Sequence, residues 1–228
     1  MKLKIVVLSG AGISAESGLG VFRGSGGLWE GYKIEEVASV DGWHANPSKV
    51  LEFYNLRRTH CCAAQPNEAH KVLAELQTDF EVQIVTQNID DLHEKAGSEN
   101  VIHLHGKITQ ARSTKTNIVT EIGDLPIYLG DLCPQKGQLR PNIVWFGEEV
   151  PLIATAQNLV AKADIFVVVG TSLQVYPAAG LLHYAPKNAQ KYLIDTNAER
   201  PPQDFRYIEA KATLGIAKLA DMLRQQLK

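Results

Sequence analysis

Four apolar, β-branched runs stand out along the chain: Lys4–Ser9, Glu81–Thr86, Asp164–Gly170 and Gln190–Asp195. The stretch Ile-Phe-Val-Val-Val at 165–169 has no polar alternation, which predicts a strand covered on both faces, as in a parallel sheet. Shorter apolar stretches, Val101–Leu104 and Asn142–Phe146, add two candidate strands. Between them lie helical patterns: Pro47 to about Cys62, Pro66 to about Gln77, Pro151 to Lys162, and Thr213 to Leu227. Proline opens three of these, and its missing N–H costs nothing in a first turn. Strands alternating with helices predict an α/β fold, a Rossmann-like doubly wound parallel sheet.

Two stretches break the alternation. Residues 20–62 run from a Gly-rich loop into helices with no second strand, and residues 107–141 mix Gly, Pro and polar positions. Both are read as one small inserted module, because a structureless loop of that length is unusual in a compact domain. The expected layout is one domain over 1–228. Its core spans about 1–22, 66–106 and 142–228, and the module spans about 23–65 and 107–141.

Composition narrows the class. With 45% hydrophobic and 21% charged residues the chain has the material for a packed core, which excludes disorder as the dominant state. A net charge of −2 provides no field for nucleic acid or an anionic membrane, so neither is expected as a partner. Three cysteines cannot all pair within the chain, and a reducing, cytoplasmic setting is expected. The opening MKLKIVVLSGAGISA imitates a signal peptide, but Ile5–Leu8 is far shorter than the roughly 7–15 apolar residues such a segment needs. No run approaches the roughly 18–20 residues of a membrane span.

Candidate chemistry gathers where the predicted strands end. Gly10-Ala11-Gly12-Ile13-Ser14-Ala15 fits G-x-G-x-x-[G/A], the turn that brings backbone N–H groups to a pyrophosphate, although a plain glycine-rich turn reads the same way. The acidic residue expected about twenty positions later at the end of a second strand is missing, which disfavours an ordinary hydride-transfer dehydrogenase. Thr86-Gln87-Asn88-Ile89-Asp90-Asp91-Leu92-His93 offers an amide pair and two carboxylates. Helix capping by Asn88 or Asp90 would explain one or two of these but not four. In His103-Leu104-His105-Gly106, His105 is the candidate base and His103 is read as structural. Gly170-Thr171-Ser172-Leu173 and Asp195-Thr196-Asn197-Ala198 suit phosphate or ribose hydroxyls. There is no G-x-S-x-G elbow to support serine-hydrolase chemistry.

Taken in order, GAGIS, FRG at 22–24, TQNIDDLHEKAG at 86–97, HLHG at 103–106, VWFGE at 144–148, GTSLQVYPA at 170–178 and TNA at 196–198 resemble the sirtuins, NAD-dependent protein lysine deacylases. The resemblance covers nearly the whole chain. It implies that NAD is a co-substrate: nicotinamide leaves, a histidine base activates a ribose hydroxyl, and the acyl group ends on ADP-ribose. It also implies acyl-lysine-bearing proteins or peptides as partners. By similarity His105 is the base, Asn88 orients the ribose and Asp90 holds the carboxamide beside Ile89. Gly10, Ala11, Gly12, Phe22, Arg23 and Gln87 match the cofactor loop and pocket. Gly170, Thr171, Ser172 and Asn197 match the adenosine side, and Ala212 is a further cofactor-binding position. Val144, Phe146 and Gly147 match the edge where substrate backbone adds as a strand.

Two features refine this expectation. Tyr54 and Arg57 share a face of the predicted helix at i, i+3, where a phenol and a guanidinium form a carboxylate site, and Arg58 is rotated away. This pair resembles the class III branch, which removes succinyl, malonyl and glutaryl groups. The family's two Cys-x(2–4)-Cys pairs, which bind structural zinc, are reduced to Cys133 within 107–141, and no zinc is expected. Packing through Leu125, Ile127, Tyr128 and Leu132 is expected to hold that segment instead. Protein mono-ADP-ribosylation and a catalytically silent NAD or ADP-ribose sensor stand as alternative functions.

Overall fold

In the computed structural model, which describes residues 2–20, 32–116, 118–198 and 201–227, six parallel strands form the central sheet. They are β1 (Lys4–Ser9), β2 (Glu81–Thr86), β3 (Val101–His103), β7 (Ile165–Val169), β8 (Gln190–Asp195) and β9 (Arg206–Glu209), in the order β3-β2-β1-β7-β8-β9. A second, antiparallel sheet is built from β4 (Gly106–Ser113), β5 (Val119–Glu121) and β6 (Leu139–Ile143), in the order β5-β4-β6.

The apolar runs explain why the first sheet is buried. Successive strand residues face opposite sides, so Ile5 and Val7 join one core and Val6 and Leu8 the other. The first core is closed by α4 (Glu68–Glu75) and α7 (Ala212–Gln225), through Ala69, Leu73, Ile216 and Leu219. The second is closed by α6 (Ile153–Val160) and a 3₁₀ segment, Ala178–Tyr184, through Ala156, Val160 and Leu181. Pro47 does open a helix, α3 (Pro47–Ala63), with Asn46 capping it. Pro66 and Pro151 instead lie just ahead of the N-caps Asn67 and Leu152.

The small sheet carries α3 against it, with α1 (Ile34–Val37) and α2 (Val40–Ala45) alongside. Its packing departs from expectation. Ile127 is buried with Leu51 and Ala111, but Leu125, Tyr128 and Leu132 are exposed and cannot be what holds the segment. Asn55 does part of that work: its side chain donates to the Ile127 carbonyl at 2.8 Å and accepts the Ile127 N–H at 2.9 Å. Between Lys4 and Val169 the sheet's strand order reverses, since β2 and β7 flank β1 on opposite sides. The crevice outside strand C-termini at such a reversal is where open α/β sheets bind ligands.

Candidate active site

A cavity of about 580 Å³ opens at that reversal, and its wall is shared between the ends of β1, β2, β3, β7 and β8 and the α3 side of the small module. The glycine turn after β1 works differently from the sequence expectation. The Gly10 N–H donates to the Val169 carbonyl at 3.0 Å and the Gly12 N–H to the Gly170 carbonyl at 2.8 Å, so neither is left for a phosphate. The chain then makes two 3₁₀ turns, Ala11–Ile13 and Ala15–Ser17, in place of a long helix. Glycine is required because two loops press together: a Cβ on Gly12 would meet Gly170 Cα at 2.7 Å. Gly170 itself has φ +62, and a Cβ there would meet the Ile13 nitrogen at 2.4 Å. Gly170→Ala is therefore expected to lose at least about 2 kcal/mol of folding stability, measurable by urea titration, from left-handed strain and backbone overlap together.

Asn88 and Asp90 follow β2, ahead of the short helix α5 (Leu92–Lys95), and are buried. The Asn88 backbone N–H donates to Thr86 Oγ1 at 3.1 Å, and its side-chain amide donates to the Gly10 carbonyl at 3.2 Å and to Ser14 Oγ at 3.0 Å. With both amide protons engaged, the carbonyl oxygen Oδ1 is the polar atom Asn88 has to offer a ligand. Ser14, accepting from Asn88, donates its own proton to Asp90 Oδ2 at 3.1 Å. Burial pushes the Asp90 carboxyl above its usual range, against the Leu92 N–H and the Ser14 hydroxyl, which favour the carboxylate. Ser14 lines the cavity and was missed as a site residue, although it is the fifth residue of the GAGIS motif.

Two histidines hold this loop from behind. His103 Nδ1 faces the Asn88 carbonyl at 2.9 Å and its Nε2 faces Glu94 at 2.9 Å. Burial alone would raise the Glu94 carboxyl, but His103 and Lys107 hold it down to about 2. His105 Nδ1 lies 2.9 Å from the Gln87 carbonyl, which makes it the protonated nitrogen and leaves Nε2 as a base. Burial lowers the His105 pKa from 6.5, opposed by the Gln87 hydrogen bond, so the ring stays neutral to lower pH than a solvated histidine. Accordingly, the acid limb of the pH–activity profile should fall below pH 6.5, with activity lost as pH drops through the depressed value.

Of the other predicted positions, Gly10, Ala11, Gly12, Gln87, Ile89, Gly170, Thr171 and Ser172 line the cavity, and Gln87 donates to Thr171 Oγ1 at 3.0 Å. Asn197 is exposed and Ala212 is packed in the core at the start of α7; neither reaches the wall, which Asp195 and Thr196 supply at that end. Phe22 and Arg23 lie outside the described residues. Val144, Phe146 and Gly147 line the opposite side. Phe146 cannot add a peptide strand through its own main chain, because its N–H donates to the Ala38 carbonyl and its carbonyl accepts from the Val40 N–H. Gly147, by contrast, makes no main-chain hydrogen bond among the described residues.

Tyr54 and Arg57 both face the cavity from α3. Arg57 is 9% exposed and forms no ion pair among the described residues, where its one hydrogen bond is to Cys61 Sγ at 3.9 Å. Burial pushes the Cys61 thiol up to about 12, so it brings no negative charge to Arg57. Arg58 points elsewhere, donating to the Ile108 carbonyl and to Asn55 Oδ1. In the segment where the family resemblance implies zinc cysteines, Cys133 Sγ lies 3.1 Å from Ser113 Oγ and accepts the Gly137 N–H at 3.3 Å. One thiol paired with a hydroxyl is not a zinc donor set, and no group of three or more His, Cys, Asp or Glu converges among the described residues. Nor is any described helix long and apolar enough to cross a membrane.

A model of the Sir2 family matches residues 10–177. An NAD-dependent protein deacylase of Helicobacter pylori is 50% identical over 98% of both chains. One from Aggregatibacter actinomycetemcomitans is 55% identical over 86% of this chain and 95% of its own. A solved complex of a Sir2 homologue with NAD is 37% identical and superimposes with a TM-score of 0.88, covering 100% of this chain and 91% of the other.

Proposed function

The chain belongs to the Sir2 family, and from that premise we propose that it is an NAD-dependent protein lysine deacylase that removes succinyl and malonyl groups as well as acetyl. NAD-dependent deacylation rests on the family and on relatives that carry that name at 50% and 55% identity. The acyl preference rests on one observation above the others: a buried arginine, Arg57, with no anionic partner among the described residues, opening onto the cavity beside a phenol. Buried charges are ordinarily paired. A succinyl or malonyl carboxylate supplies the missing partner, with Arg57 and the Tyr54 hydroxyl as donors.

The cavity lies outside the strand C-termini, where open α/β sheets bind nucleotides. NAD, when bound, supplies the scissile glycosidic bond and the ribose that receives the acyl group. The chain's own residues orient and move protons. Asn88 presents Oδ1 where positive charge develops, and Asp90, bridged to it through Ser14, accepts from a carboxamide. His105 Nε2 takes a proton from a ribose hydroxyl. Gly10, Ala11, Gly12, Gln87 and Gly170–Ser172 would surround the rest of the dinucleotide, and Val144 and Gly147 would meet an acyl-lysine peptide. The described part of the small module closes the far wall through Ala38, Phe53, Tyr54, Arg57 and Cys61, where it would help to exclude water.

We also read the module as standing without zinc. Elemental analysis of purified protein should find well under one zinc per chain, and excess chelator should leave its melting temperature unchanged. Stoichiometric zinc with chelator-induced melting would overturn that reading. The function itself is tested by incubating the protein with NAD and an acetyl-lysine or succinyl-lysine peptide and weighing the products. Nicotinamide, free lysine and O-acyl-ADP-ribose are expected from each. Mass transferred to protein with no deacylated lysine would mean ADP-ribosylation, and no reaction would mean a sensor.

A further inference from the structure

We propose that Trp145 is a specificity-determining positioning residue, whose indole N–H fixes the direction in which the buried Tyr54 hydroxyl donates and so completes the carboxylate site with Arg57. The inference rests on the acidic-acyl reading above and deepens it. Trp145 Nε1 lies 3.1 Å from the Tyr54 oxygen, and both residues are 2% exposed. An indole N–H only donates, so the phenol oxygen is the acceptor in this contact and its own proton must go elsewhere. No protein acceptor takes that proton among the described residues. Burial also pushes the phenol above its usual pKa, so the proton is retained at any working pH. What remains is the cavity that Tyr54 and Arg57 both line.

The indole is itself held from several sides. The Arg140 guanidinium stacks 3.2 Å from its ring centroid, Trp43 lies 5.3 Å away on ring centroids, and Glu148 accepts the Trp145 main-chain N–H at 2.8 Å. Glu148 in turn accepts from Arg140 at 2.7 Å and from Arg112. A ring fixed this way pins the acceptor side of Tyr54 rather than following it. A phenol free to rotate would lose part of its donation to water or to its own disorder, and a bound carboxylate would feel the difference where an acetyl methyl would not.

The test compares kcat/KM for succinyl-lysine and acetyl-lysine peptides of one sequence in Trp145→Phe, Tyr54→Phe, the double variant and Trp43→Phe. Trp145→Phe should lower the succinyl-to-acetyl ratio by about fivefold, chiefly through KM, and should have no further effect in the Tyr54→Phe background. Trp43→Phe, which keeps an aromatic ring against the indole and leaves Arg140, Glu148 and the Trp145 N–H in place, should leave the ratio unchanged. If Trp145→Phe does not fold, site-specific β-(3-benzothienyl)alanine keeps the ring shape, replaces the N–H by sulfur, and should give the same drop. An unchanged ratio in wild-type-like folded variants would overturn the proposal, as would an equal drop with Tyr54 already replaced or an equal drop in Trp43→Phe. A parent enzyme with no preference for the succinyl peptide removes the acidic-acyl reading and the proposal with it, and that result is distinct because it is seen before any substitution.

Discussion

His105→Ala is expected to lose turnover by about three orders of magnitude or more, the range associated with removing a positioned general base, while binding NAD within a few-fold of the parent protein. The expectation follows from how the ring is held. Its Nδ1 is committed to the Gln87 carbonyl, Nε2 has no hydrogen-bond partner among the described residues, and the residue is not part of a buried apolar cluster whose loss would unfold the chain. Isothermal titration with NAD and a product assay on the same preparation separate the two effects. Loss of NAD binding in parallel with turnover would mean that the imidazole shapes the pocket and is not the base. A variant with near-normal turnover would remove His105 from the chemistry.

Arg57→Met is expected to lower kcat/KM for a succinyl-lysine peptide by about 30-fold, the worth of a charge-assisted hydrogen bond near 2 kcal/mol, and to change the acetyl value only a few-fold. Stability provides a second readout with the opposite sign to the usual one. Deleting half of a buried ion pair destabilises by several kcal/mol, but Arg57 has no such partner among the described residues. Replacing an unpaired buried cation by an apolar side chain of similar length should therefore hold or raise the melting temperature. Equal losses on both peptides, or a large fall in stability, would mean that Arg57 serves the fold and not the acyl group.

Much of this was readable in the residue pattern, for reasons that also mark where reading stopped. The bounds of β1, β2 and β8 follow from the apolar runs because a strand buried on both faces carries few polar residues. β4 escaped because it is part of a small sheet, and Lys107, Gln110 and Arg112 break its apolar signal. β6 begins at Leu139, three residues before the predicted run, and Trp145 and Phe146 lie beyond it in an extended segment bridged to Ser39. β9 is four residues long at the sheet edge, too short for periodicity to register.

The site shows the same division. Strand ends rich in Gly, Asn, Asp and His were visible as motifs, and the fold gathers most of them around one cavity. Their partners were not visible. The glycines of the first turn also serve a contact with Gly170, far along the chain, which no local pattern reveals. Tyr54 and Trp145 meet across 91 residues, and Arg57's lack of an anion among the described residues becomes apparent only once its neighbours are known. Asn197 and Ala212 differ in another way: Asn197 is exposed and Ala212 is packed in the core, while Asp195 and Thr196 line the wall at that end.

We propose that this cavity couples NAD consumption to removal of an acidic acyl group from lysine, and competition tests this most directly: equal amounts of acetyl-lysine and succinyl-lysine peptide, one sequence, limiting NAD, products followed by mass. The succinyl peptide should be consumed first, with nicotinamide and succinyl-ADP-ribose appearing in equal amounts. Preferential or equal consumption of the acetyl peptide would contradict the account.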